Sequence, residues 1–162
     1  KKSTMKLTAQ IANHIREVHF GDNWTSSNLK EHLADVTWQQ ATSAVYSCNT
    51  IAALVYHMNY YVAAALLVLQ GKPLNASDKF NFDLPPIRSR EDWEALLNKT
   101  WTDAEAFAGL VEQLPEERLW EDFYEKKQGI YYRNIHGIIE HIHYHLGQIV
   151  ILKKILSAQT KQ

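Results

Sequence analysis

The stretch that decides the fold is HGIIEHIHYHLGQIVILKK, residues 136–154, near the end of the chain. It belongs to a last helix that is predicted to run from about Tyr131 to Leu156. Within it, His141 and His145 are four residues apart, so a helix places both side chains on one face, with Cβ atoms about 5–6 Å apart. Because the rest of that face is mainly apolar, the pair is predicted to point into the protein.

Two other histidines of this stretch are poor partners for the pair. His143 is two residues from each member, and His136 is rotated by roughly 140° from His141 at about 100° per residue. Two imidazoles one turn apart can chelate one metal ion. An ion that takes part in chemistry usually has three protein ligands and an open position, so a third ligand is expected from another helix.

His57 is the natural third ligand, because it lies in an apolar run, residues 51–69, where an unpaired imidazole costs free energy. His14 and His19 on the first helix are weaker candidates, and His32 lies on a polar stretch. Spacing alone leaves a second interpretation open, since a buried histidine is often only hydrogen-bonded structure.

The same run approaches the length of a membrane span. His57 and Asn59 lie in its middle beside three tyrosines, and polar groups are costly in lipid. The prediction is therefore a buried helix of a helical bundle, without a membrane.

The whole chain is predicted to be all-α, an antiparallel four-helix bundle that forms a single domain over residues 1–162. Pro115 ends the third long helix, and a long connection at 72–88 holds three of the four prolines and joins the second and third helices. The long helices are expected near residues 4–20, from Asn49 or Thr50 to Gly71, from Ser89 to Leu114, and from about Tyr131 to Leu156.

A short extra helix is expected after GDN at residues 21–23, which ends the first helix. Ser27 or Asn28 can cap it, with Glu31 in capping-box spacing, and Ser89 has the same spacing to Asp92. Two tryptophans flank this short piece and are expected to close one end of the core: Trp24 and Trp38.

Composition argues against nucleic-acid binding, because 17 basic and 18 acidic residues give a formal charge of -1. The single cysteine, Cys48, cannot form an internal disulfide, and the N-terminal residues lack the apolar core of a secretory signal. Both features predict the cytoplasm. No histidine lies near Cys48 in a recognised local pattern, so it is expected to be buried rather than a nucleophile.

The histidine pattern resembles that of the DinB-like family of bacterial four-helix bundles, also called YfiT-like metal-dependent hydrolases. The similarity is carried by HGIIEHIHYHLGQI, by the histidine in TIAALVYHMNYYV and by GDNWTSSNLKEHLADVT, so it covers nearly the whole chain. It implies one divalent ion held by His57, His141 and His145, with Gly147 and Gln148 matching the family's Gly-Gln.

The resemblance further implies a zinc, nickel or iron ion that activates water or a low-molecular-weight thiol. The expected function is thus that of a hydrolase or thiol S-transferase acting on a small-molecule substrate. Tyr61, four residues after His57, and Gln148, about one turn beyond His145, are the candidate catalytic residues. Glu140 is a poor one, because it points about 100° away from His141.

One alternative is excluded by the sequence and another stays open. A di-iron carboxylate bundle would need Glu-x-x-His pairs on two helices, which the chain does not offer. A non-catalytic bundle that binds metal or a small electrophile, for example in a stress response, fits the same residues. A homodimer formed through helices is expected in either case.

Overall fold

The computed structural model describes residues 6–159, and this part of the chain contains six α-helices and no strand. Two short 3-10 helices, Glu116–Trp120 and Lys126–Gln128, lie in the charged segment before the last α-helix. The all-α prediction is confirmed. The α-helices are α1 Leu7–Phe20, α2 Leu29–Leu33, α3 Trp38–Thr42, α4 Ile51–Leu69, α5 Arg90–Gln113 and α6 Tyr131–Gln159.

The four long helices pack around one apolar core. Helix α5 lies against α1 and α4, and α6 lies against the other sides of α4 and α1. Full burial of one large apolar side chain stabilises a fold by about 1.5–3 kcal/mol, so contacts between helices dominate the stability. The largest fully buried side chains come from all of these helices and include Ile15, Met58, Phe107, Ile142 and Ile149.

Helix starts follow the polar residues that the sequence indicated. The Thr50 hydroxyl accepts a hydrogen bond from Ala53 N, and the Ser89 hydroxyl accepts one from Asp92 N. Asp92 does not complete a capping box, because its carboxylate accepts from Arg88 N, one residue before the cap. Each such cap contributes about 1 kcal/mol.

The cap of α2 also differs in detail from the prediction. Asn28 Oδ1 accepts from Glu31 N at 2.9 Å, as expected. The Glu31 carboxylate, however, accepts from the Asn28 side-chain amide at 3.1 Å instead of from its backbone. Asn28 and Glu31 are therefore joined by a side-chain bond that the capping-box pattern did not predict.

The region between α1 and α4 contains two short helices, α2 and α3, where the sequence predicted one. Thr37 and Gln40 form a complete capping box at the start of α3. The expectation for Trp24 was wrong, because its side chain is 98% exposed. Trp38 does pack against the core, as part of α3.

Helix α4 is the one helix within residues 6–159 that is long and apolar enough to cross a membrane. Most of it is buried inside the protein, which is also typical of a core helix. Its polar residue Asn59 is buried and donates to Asp103 Oδ2 on α5 at 2.8 Å. Lys99 pairs with the same carboxylate, so the buried amide is tied to a charged pair on α5.

The buried His19 should make the stability of the protein depend on pH. Burial lowers the pKa of His19 from 6.5 to about 4 in the folded protein, against a hydrogen bond between Nδ1 and Ile15 O that raises it. Between these two values the unfolded chain binds more protons, so stability falls as the pH falls. In the parent, protonation of His19 in the unfolded chain should lower the free energy of unfolding by about 2 kcal/mol between pH 8 and pH 5. We expect His19→Gln to lack this part of the decrease.

Urea unfolding of metal-free protein at both pH values measures this difference. His14→Gln is the matched control, because His14 is exposed on the same helix. An equal pH dependence in the parent and in His19→Gln would show that His19 does not titrate as its burial requires.

Candidate metal centre

Three histidines from two helices meet on one side of the core. His57 comes from α4, and His141 and His145 come from consecutive turns of α6. One ring nitrogen of each lies within 4.8 Å of the others, an arrangement that could hold a metal ion. The sequence prediction that these three side chains lie together is therefore confirmed.

The closest approaches are between Nε2 atoms. His141 Nε2 lies 2.9 Å from His57 Nε2 and 3.0 Å from His145 Nε2. A neutral imidazole carries one proton on one of its two nitrogens, so a single Nε2–H can bridge only one of these contacts. The remaining contact is then left without a good hydrogen bond, whereas a cation between the rings would be bound by the lone pair of all three Nε2 atoms.

The proton of His145 is placed by Gln148. His145 Nδ1 lies 2.6 Å from Gln148 Oε1, and an amide oxygen only accepts, so Nδ1 donates. In the neutral ring Nε2 then has a free lone pair directed toward the other two histidines. A hydrogen bond of this kind fixes the tautomer and orientation of histidines that bind metals.

His57 is held by packing more than by hydrogen bonding. Phe82 stacks on its ring, with centroids 4.1 Å apart and an interplanar angle of 5°. Its Nδ1 is buried and makes no hydrogen bond of normal geometry. The nearby Asn81 backbone raises the pKa of the ring. Burial dominates, and together with the charge of His145 it lowers the pKa of His57 below 6.5.

His141 stands between the other two rings and is perturbed most. Burial, followed by the charges of His145 and His57, lowers its pKa to about 4. The ring is therefore neutral near pH 7, which is the form that binds metals. Three neutral imidazole donors fit zinc, nickel or iron, whose bonds to such nitrogens are about 2.0–2.1 Å long for zinc.

Tyr61 lies beside the site, as predicted, but its hydroxyl is already engaged. The ring stands edge-on to His57 and His141, with centroids 5.3 Å from each. The hydroxyl donates to Asp78 Oδ1 at 2.7 Å and accepts from Asn81 Nδ2 at 2.8 Å. Burial raises the pKa of Tyr61, so the phenol stays protonated and serves as a donor rather than a base.

The long connection is fastened over the site by these contacts. Besides Asp78 and Asn81, which bond to Tyr61, the Ser77 backbone N–H donates to Tyr60 Oη at 2.8 Å. Phe82 follows directly and covers His57. The sequence indicated the connection by its prolines but gave no sign that it would cover the histidines.

An open cavity of about 470 Å³ adjoins the histidines. This volume is within the usual range for small-molecule sites. His57 and His141 form one end, and Ile138 and Asn134 extend it along α6. The other lining residues are Tyr61, Gln128, Arg133 and Gly137.

The other histidines lie outside this group. On α1, His19 is buried and His14 is exposed, and His32 Nε2 contacts Ser27 Oγ at 3.0 Å. His136 packs against Tyr132, with ring centroids 4.4 Å apart. His143 likewise belongs to no group of metal-binding residues in the described range.

Two further sequence expectations have clear outcomes. Glu140 pairs with Arg133 at 3.2 Å and does not reach the histidines, as predicted from its rotation. Cys48 was expected to be buried, and this was wrong, because its side chain is exposed. It lies before α4 in residues 46–49, all of which are exposed.

No protein-family profile, curated protein or solved structure that was compared with this chain matches it.

Gln148 should strengthen metal binding through His145. Gln148→Leu removes the acceptor of the Nδ1 proton, so the ring loses its fixed orientation and tautomer. We expect zinc affinity to fall by about 10–100-fold, measured by competition with a chromogenic chelator. Gln113→Leu, an exposed change near the end of α5, is the control and should bind as the parent does. Equal affinity in the Gln148 variant would remove this residue from the site.

Proposed function

We propose that this chain is a metal-dependent enzyme in which His57, His141 and His145 hold one divalent ion. The observation that carries the proposal is the convergence of three imidazole nitrogens within 4.8 Å of one another, beside an open cavity. Zinc, nickel and iron are the ions that suit this donor set. The substrate is a small molecule that binds in the cavity.

A divalent ion in this position lowers the pKa of a coordinated water or thiol and polarises an electrophilic substrate. The chain's own residues set up this chemistry. All three ligands are neutral, so the site leaves the charge of the ion uncompensated. Phe82 and the connection exclude water from one side of His57, which strengthens electrostatic interactions there.

Two side chains act beside the ligands in this proposal. Gln148 holds the His145 proton on Nδ1 and so keeps Nε2 available. Tyr61 lines the cavity with a protonated hydroxyl, which can donate to a substrate that displaces Asp78. Tyr61 thus acts as a hydrogen-bond donor to the substrate, and Gln148 as a positioning residue.

The reaction class is hydrolysis or transfer of a low-molecular-weight thiol. In a transfer, the thiol sulfur forms a bond to the electrophilic carbon, the leaving group departs with its electron pair, and the thiol proton passes to solvent. Both reactions need the same activation of a weak nucleophile near neutral pH. The arrangement of the histidines is equally suited to either.

Membership of the DinB-like family and an antiparallel four-helix bundle are part of the proposal. They are supported by the motif His141-x-x-x-His145-x-Gly147-Gln148 and by the packing of each long helix on two others. A cytoplasmic homodimer that binds neither nucleic acid nor membrane is proposed as well. Its support is the balanced charge, the burial of α4 and two exposed apolar side chains on α6, Tyr144 and Ile151.

One observation favours a second candidate, a protein that binds metal or a small electrophile without turnover. The Tyr61 hydroxyl is hydrogen-bonded to Asp78 and Asn81, and no carboxylate lines the cavity among the described residues. Such a site offers no general base from a side chain. Saturable binding of an electrophile without any product would identify this function.

Metal removal should abolish turnover if the chain is an enzyme. We expect zinc-, nickel- or iron-loaded protein to conjugate a simple thiol to a chromogenic aryl halide, or to hydrolyse an activated ester. Chelator-treated protein and His141→Ala should lose at least about 100-fold in rate, since the activated nucleophile is lost.

Two further variants sharpen this test. Tyr61→Phe should keep the ion and lose roughly tenfold in rate, as expected for one hydrogen-bond donor. His143→Ala should be unchanged, because His143 lies outside the site. A loaded protein that binds the electrophile but forms no product with any thiol or ester would contradict the enzyme proposal.

A further inference from the structure

The cavity beside the histidines contains one cationic side chain, Arg133. Arg133, Gly137 and His141 are spaced by four residues on α6, so they form one stripe of the helix. Gly137, the residue of that stripe between Arg133 and His141, has no side chain, and all three residues line the cavity. The floor of the cavity is thus open from the cation to the metal ligand.

The Arg133 side chain is directed along this floor. Its Nη1 lies 3.7 Å from the position that a Cβ at Gly137 would occupy. Long side chains on a helix ordinarily lean toward the N-terminus, away from a residue later in the chain. Here the guanidinium instead extends forward along α6, past Gly137 to Glu140.

The present partner of Arg133 is exchangeable. Nη1 lies 3.2 Å from Glu140 Oε2, and the two side chains are 69% and 70% exposed. Ion pairs as exposed as this contribute little stability, because water screens them. The guanidinium can therefore change to another carboxylate at little cost.

We infer that Arg133 binds the carboxylate of the small-molecule substrate, whose reacting group then lies at His57 and His141. This inference deepens the proposed function and rests on it for the identity of the reacting end. A guanidinium binds a carboxylate through two parallel hydrogen bonds, which fixes orientation as well as affinity. Gly137, beside which the guanidinium lies, is one helical turn, roughly 5–6 Å, from His141 along α6.

A carboxylate fits better than a phosphate. No second lysine or arginine lines the cavity in the described part of the chain, so one positive charge is available beside the histidines. A single negative charge matches the guanidinium, whereas a phosphate dianion would need a second cationic side chain at this end of the cavity. The nearest acidic groups, Glu140 and Asp78, are already bonded to Arg133 and Tyr61.

The test compares two thiol probes that differ only in charge, mercaptopropionate and its neutral amide, mercaptopropionamide. Both can bind cobalt in the loaded protein through sulfur, which gives a cobalt–thiolate absorption band. We expect the parent to bind the acid about tenfold more tightly than the amide. Arg133→Gln should lose this preference while its affinity for the amide stays unchanged.

Two variants separate binding from a merely structural role. Arg133→Lys should keep part of the preference for the acid, because the positive charge remains but the two parallel hydrogen bonds of the guanidinium are lost. Glu140→Gln should increase it, because the competing carboxylate is gone. Arg90→Gln is the matched control, an exposed arginine paired with Glu94 on α5, and should behave as the parent does. A preference that is absent in the parent, or that survives in Arg133→Gln, overturns the inference.

A second experiment on metal-free protein separates carboxylate binding by Arg133 from the proposed metal-dependent function. Propionate is titrated into metal-free protein, and the Nε–H resonance of Arg133 is followed by NMR. A saturable shift, absent for propionamide, supports the inference even if the protein binds no cobalt and the proposed function fails. Cobalt binding with equal affinity for both thiols, and no shift with propionate, overturns the inference and leaves the proposed function standing.

Discussion

The contact of His141 Nε2 with the Nε2 atoms of both His57 and His145 is the interaction on which the candidate site depends. It requires α4 and α6 to pack against each other at the level of these three residues. It also places polar rings beside a core that is otherwise apolar. Burial keeps the rings neutral by lowering the pKa of His57 and His141. Buried imidazoles whose nitrogens do not all have hydrogen-bond partners cost free energy, and a bound cation would offset that cost.

The residues around the histidines hold the three rings in the orientations that bring their Nε2 atoms together. Gln148 orients His145 from one side, while Phe82 fixes the His57 ring from the other. The connection that carries Phe82 is in turn fastened by Tyr61. On the remaining side Gly137 leaves room for an open cavity. The histidines are thus held by neighbouring side chains on two sides and adjoin an open cavity on a third.

Much of this could be predicted from local sequence. His141 and His145 share a face because of helical periodicity alone. Thr50 and Ser89 cap their helices by bonding to backbone N–H groups three residues later. His57 was identified because a histidine in an apolar helix needs a partner, and the resemblance to a known family pointed the same way. Even α3 had a readable signal in Thr37 and Gln40, which is easily overlooked in so short a helix.

The features that local sequence did not indicate are contacts between distant segments. The connection at 72–88 has no periodicity, so the stacking of Phe82 on His57 and the bonds of Asp78 to Tyr61 could not be read from it. Arg133 was missed for a different reason. On a helix its charge looks like ordinary solvated surface, and only the direction of its side chain over Gly137 relates it to the histidines.

A helical fold and a cluster of three histidines do not fix a reaction, so metal binding is the point to establish first. The most direct measurement is elemental analysis of untagged protein purified without chelator, together with His57→Ala, His141→Ala, His145→Ala and His143→Ala. The account predicts about one divalent ion per chain in the parent and in His143→Ala, and a sharp loss in the other three. A parent that holds no ion, even after refilling with zinc, nickel or iron, would contradict it and leave the three histidines as packing residues.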